Sequence, residues 1–88
     1  MKYTSDNRTI EFNTQKDGNP STFIHFKGKL YQIFTIAKDS ETQKDIVVYQ
    51  KQYDDFNYYV RDAKMFFSFV DKEKYPEVKQ IYRFEKLV

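Results

Sequence analysis

Cysteine and tryptophan are absent from this chain of 88 residues, and glycine, proline and histidine are scarce, with two, two and one. Without cysteine there can be no disulfide framework and no thiolate metal site. The lone histidine, His25, rules out a multi-histidine metal centre, because zinc asks for three or four good ligands. Neither a metal nor a cofactor is expected. The scarcity of Gly and Pro, set beside 40% hydrophobic residues, excludes a low-complexity or globally disordered chain. No apolar run approaches the roughly 18 residues that cross a bilayer, and no apolar leader opens the chain. The expectation is a cytoplasmic protein that does not engage membranes. Charge of one sign is also missing: 15 basic and 13 acidic residues are interspersed, for a net +2. A nucleic-acid footprint needs basic residues gathered on one face, and composition alone does not supply that.

What is present is aromatic. Nine Phe and eight Tyr make up 19% of the chain. A domain of this size buries only about 60% of its unfolded surface, so its core needs bulky side chains. Each buried aromatic removes roughly 150–250 Å² from water. One domain is expected over residues 23–88. Residues 1–22 are polar and carry the turn signals Asp17-Gly18-Asn19-Pro20, and they read as an extension, either a short edge strand through Ile10 and Phe12 or a disordered tail.

From Phe23 onward the pattern is β. Short runs rich in Val, Ile, Phe, Tyr and Thr recur between polar clusters. Strands are predicted at Phe23–Phe26, Leu30–Ala37, Ile46–Tyr53, Tyr58–Arg61, Phe67–Val70 and Ile81–Leu87. Gly28 supplies a tight turn after the first. Asp62 is placed to cap a single helical turn that sends Met65 and Phe66 inward. The predicted core is Phe26, Ile33, Ile36, Val47, Val60, Phe66 and Phe84. Consecutive apolar pairs such as Ile33-Phe34 fit strands covered on both faces near a sharp bend. The expected fold is mainly β: a small SH3-like antiparallel barrel of five or six short strands with one helical turn.

Candidate site residues are few. Asp39-Ser40-Glu41-Thr42 has the chemistry of a turn stapled by side-chain oxygens to backbone N–H groups. Glu41 is the member a turn does not require; it is read either as an ion-pair partner of Arg61 or Arg83 or as a ligand contact. His25 is read as a surface-strand histidine next to Lys27, with acid–base work open to it. Arg61 is predicted opposite Val60, on the outer face beside Tyr49 or Tyr59. There it is read either as part of a recognition patch that offers ring stacking and a donor fork, or as a structural arginine paired with Glu41 or Asp62. No Gly-rich phosphate loop and no nucleophile with a base and orienting acid are evident, so the reading is non-enzymatic.

One resemblance carries further. His25, Lys27, Gly28, Tyr31, Ile33, the run Ser40-Glu41-Thr42, Val47-Val48-Tyr49, Val60-Arg61, Met65-Phe66 and Arg83-Phe84 fall in order. Together they resemble domain-of-unknown-function family 1653, small uncharacterised bacterial proteins. The resemblance covers Phe23 to Leu87 and implies an SH3-like barrel, with no activity attached. Three positions depart from the family pattern: Asp39 where it has His, Tyr59 where it has Trp, and Asp62 where it has Pro. Loss of that His speaks against conserved catalysis at the turn. Three functional expectations result. The leading one is a noncatalytic binding module for a protein or peptide partner, using Tyr49, Tyr59 and Arg61. The second is a single-stranded nucleic-acid-binding barrel using the tyrosines with Lys27, Lys51 and Arg61. The third is a small-molecule site around His25, Glu41 and Arg61.

Overall fold

A computed structural model describes residues 1–5 and 8–87; Asp6, Asn7 and Val88 lie outside the described residues. The order of elements is β1 (Lys2–Thr4), β2 (Thr9–Glu11), β3 (Thr22–His25), β4 (Leu30–Lys38), β5 (Asp45–Lys51), β6 (Tyr58–Asp62), α1 (Ala63–Phe66) and β7 (Phe84–Lys86). The two N-terminal strands form an antiparallel pair of their own, and the other five form one sheet in the order β6-β5-β4-β3-β7. The chain is therefore mainly β with one helical turn. The sheet does not close into the expected barrel: β6 and β7 remain its edges.

Side-chain alternation decides which face is inside. Val47, Tyr49 and Lys51 of β5 are buried, and the register sets Tyr49 opposite Ile33 on one side and Tyr59 on the other. On β3 and β4, Phe23 faces Tyr31 on that same surface. The core is built mostly of rings. Phe66, Phe67 and Phe84 join Phe12, Phe23, Ile33, Val47 and Tyr49. Phe66 stacks on Phe84 with centroids 4.0 Å apart, and Tyr49 meets Phe66 edge-on at 5.1 Å. Aromatic pairs in such geometries add roughly 0.5–1.5 kcal/mol beyond area burial.

The Ile33-Phe34 pair has a specific cause. The ladder between β4 and β5 shifts register between Ile33 and Thr35, so Phe34 is a bulge residue left without a partner across the strand. Ile33 keeps the inward position, and the Phe34 ring turns outward to meet Tyr58 at 5.9 Å. Val60 does not follow the prediction. Its pairing with Val48 puts it on the outer face, and it is 68% exposed. The register slips every side chain of β6 by one place, so Tyr59 and Arg61 take the inward surface. A sequence with apolar residues at both Tyr59 and Val60 does not settle which parity wins.

Residues before β3 pack on the same core. Phe12 and Thr14 are buried, Phe12 meets Phe23 at 5.7 Å, and Tyr3 stacks on Phe67 at 4.6 Å. Gln15 N–H donates to the carbonyl of Ile33 at 2.8 Å, and its side-chain amide donates to Gln32 and Gln50, which face each other across β4 and β5. A strand is absent at Phe67–Val70; a single bridge between Phe69 and Tyr82 takes its place. Asp62 does cap the helical turn, its Oδ1 accepting from Lys64 N–H at 2.9 Å and Met65 N–H at 3.4 Å. Met65, expected inside, is exposed while Phe66 is fully buried. Among the described residues no helix is long and apolar enough to cross a membrane.

Candidate functional site

The turn that ends β3 begins the site. His25 N–H donates to the carbonyl of Lys29 at 2.8 Å and Gly28 N–H returns to the carbonyl of His25 at 2.7 Å. Gly28 adopts φ +95°, a conformation that costs glycine little and other residues more. Lys27 N–H donates to His25 Nδ1 at 3.1 Å. The imidazole is thereby fixed as an acceptor at Nδ1, which leaves its proton on Nε2. The ring packs against Phe26 at 4.3 Å and edge-on to Phe84 at 4.9 Å.

Two more segments meet this turn. In the loop after α1, Asp71 Oδ1 accepts from Glu73 N–H at 3.0 Å and Lys74 N–H at 3.3 Å, and Tyr75 N–H donates to the Asp71 carbonyl. Tyr75 then sets its ring against Phe26 at 4.9 Å, with the Lys27 ammonium 5.7 Å above it. From the far edge of the sheet comes Arg61 of β6, and just before β7 comes Arg83, whose Nε donates to Ser68 Oγ at 3.0 Å. These groups line one cleft of about 290 Å³. Its position is a consequence of the fold: residues from both edges of the open sheet converge where a barrel would have closed.

The cleft is strongly basic. Lys27, Arg61, Lys74 and Arg83 line it against the single carboxylate of Asp71, which is already satisfied by backbone donors. His25 responds to this setting. Burial first, then the charges of Lys27, Arg61 and Arg83, push its pKa down to about 4. At neutral pH it is an uncharged donor through Nε2, set among cations. The geometry suits an anionic group: a carboxylate or phosphate offers acceptors to the guanidinium forks and ammonium groups and relieves their mutual repulsion.

The structure brings His25, Lys27 and Arg61 together and sets the other candidates apart. Arg61 reaches the cleft from the inward surface, not from the outer face. Glu41 sits exposed on the turn between β4 and β5 and is not among the residues of the cleft. That turn is held by Asp39, whose Oδ1 accepts from Glu41 N–H at 2.8 Å and Thr42 N–H at 3.2 Å, and by the Lys38–Asp45 ion pair at 2.7 Å. Among the described residues the Glu41 carboxylate makes no ion pair with Arg61 or Arg83. Tyr49 is 6% exposed and serves the core, whereas Tyr59 is 41% exposed and leans on it at 5.8 Å. Lys51 is also withdrawn. Its side chain is 11% exposed, pairs with Asp55 at 2.9 Å and is held protonated beyond the usual lysine range by that contact and by Tyr59. Lys74 and Tyr75 are additions that sequence reading did not name, and Arg83 entered it only as a partner for Glu41 and as part of the family resemblance. The signal for Tyr75 was an aromatic set inside an otherwise charged loop.

Comparison with known families gives one finding: residues 21–86 match a family model described as protein of unknown function (DUF1653). No curated protein and no solved structure matches the chain.

Proposed function

The chain belongs to the DUF1653 family, proteins of unknown function, and from that premise we propose that it is a noncatalytic binding module that takes a carboxylate-bearing segment of a protein or peptide partner into the basic cleft. The observation that carries this reading is the convergence of Lys27, Arg61, Lys74 and Arg83 on one small concavity with His25 neutral between them. The size of the cleft supports a compact anionic group rather than a polymer backbone. An electrostatic funnel for single strands tracks a groove and pairs it with free stacking rings. Here the tyrosines named for stacking are partly spent in the core, and Lys51 is neutralised by Asp55. A small-molecule site on His25, Glu41 and Arg61 lacks support because Glu41 stands elsewhere.

The test is an amide NMR titration with a short glutamate-rich peptide, its glutamine counterpart and a short oligothymidine. The glutamate peptide is expected to shift His25, Lys27, Arg61 and Tyr75, and the glutamine peptide to leave them still. Arg61→Ala is expected to weaken binding roughly ten- to a hundredfold, as for a lost hydrogen bond between charged groups. Peptide shifts absent, or untouched by Arg61→Ala, sink the reading. Tighter oligothymidine binding that collapses between about 50 and 200 mM salt hands the cleft to nucleic acid instead.

A further inference from the structure

β6 is an edge strand with little to guard it. Natural edges are blunted by charged side chains, lysine above all, by inward-pointing charges, prolines, bulges or short length; in β6 the charges are Arg61 and Asp62 alone. Tyr58–Asp62 contains neither lysine nor proline, and its ladder with β5 runs without a register shift. The opposite edge differs: β7 has three residues, its Phe84 is in the core, and its Lys86 ammonium reaches the carbonyl of Glu11 at 3.0 Å. The backbone direction of β6 follows from one bond beyond its end. Lys51 N–H donates to the carbonyl of Asn57 at 3.1 Å. By antiparallel alternation Tyr59 and Arg61 then also point their backbone groups at β5, while Tyr58 and Val60 point theirs at the free edge. Val60, at the middle of that edge, is the most exposed large hydrophobic residue among those described. Phe34 and Tyr58 extend the exposed apolar surface on the same outer face.

We propose that β6 pairs antiparallel with β6 of a second copy of this chain, about a twofold axis at Val60, to make one continuous sheet across the dimer. The residue order is self-complementary in that register. Val60 meets its own copy, Tyr59 lies opposite Arg61 on the inward surface, and Tyr58 lies opposite Asp62 on the outer one. Every charge gains a ring or hydroxyl partner, and no like charges oppose. A slip of one residue pair toward the helix sets Arg61 against its own copy, which is disfavoured. An isologous contact of this kind closes on itself and does not propagate into fibres. The contact is made by the edge of β6, and of the cleft residues it involves Arg61 alone.

The absence of native cysteine makes the test direct. In Val60→Cys two thiols would face each other across a hydrogen-bonded pair with Cα atoms about 5.5 Å apart, inside disulfide range. Oxidation with diamide is expected to give a covalent dimer at least tenfold faster than Glu41→Cys, a control at an exposed turn. Sedimentation of the unaltered chain is expected to show a dimer fraction that rises with concentration. Val60→Lys, at a position free of core contacts, is expected to shift that equilibrium at least tenfold toward monomer with its thermal midpoint retained. Equal crosslinking of the two cysteine variants, a monomer at all concentrations, or association unchanged by Val60→Lys overturns the proposal.

Discussion

A histidine set among cations and aromatic rings is best understood through its protons. The His25 ring accepts Lys27 N–H at Nδ1 and lies half-buried against Phe84. Protonation would break the first contact and charge the second. Because its pKa falls to about 4 on folding, the unfolded chain binds the proton more readily between that value and the ordinary 6.5. Its contribution to stability is therefore complete above pH 6.5 and is lost as pH falls through 4. The imidazole C2–H resonance is expected to titrate near pH 4, and urea midpoints to decline over the same window. Arg61→Ala removes one of the opposing charges and is expected to raise the His25 value, while burial keeps it below ordinary. An unshifted titration near 6.5 would disprove this account of the cleft. The sequence joined His25 to Arg61 only alongside Glu41, and Lys27 to Arg61 only alongside Lys51, and never all three in one site, because their contact depends on the two sheet edges approaching in space. No local pattern encodes that approach.

At the scale of elements, local chemistry was readable wherever a short-range rule applied. Asp62 before Ala63 announced the helical turn, and the cap is made by its carboxylate. Asp62→Ala is expected to cost about 0.5–2 kcal/mol, read as a lowered urea midpoint with unchanged slope. Asp39 likewise staples its turn, as the run Asp39-Ser40-Glu41-Thr42 suggested. The failures came where two choices were locally equal. Tyr58, Tyr59 and Val60 are all acceptable on either face of a strand, so the parity of β6 was fixed only by its register with Val48 and Tyr49. The bulge at Phe34 was legible only as a break in alternation. Phe67–Val70 has strand composition, yet the approach of Tyr82 allows it a single bridge.

For the whole molecule, the economy of a small core sets the limits. Phe66 is fully buried among Phe23, Tyr49, Phe67 and Phe84. Phe66→Ala is expected to cost about 3–5 kcal/mol. Against a typical total of about 5–15 kcal/mol, that leaves the variant marginal in thermal unfolding. The polar N-terminal stretch signalled its packing only through Ile10 and Phe12; among its described residues Phe12 and Thr14 are buried, and Tyr3 and Ile10 pack partly buried against the core. A chain starting at Phe23 lacks all of these, along with the Gln15 link to Gln32 and Gln50, and is expected to lose cooperative unfolding or melt far below the full chain. A truncated chain that melts like the parent would show those contacts to be ornamental.

The ring cluster has an optical consequence as well. Tyr31 lies 5.6 Å from Tyr49 and 5.9 Å from Tyr53, and Tyr49 lies 5.8 Å from Tyr59. No tryptophan exists to drain their excitation. Light absorbed by any one of these phenols hops among the others before it is emitted, and each hop scrambles its polarisation. The folded protein should therefore glow with depolarised tyrosine light, and separation of the rings on unfolding should cut off the hopping, a change legible without any attached dye.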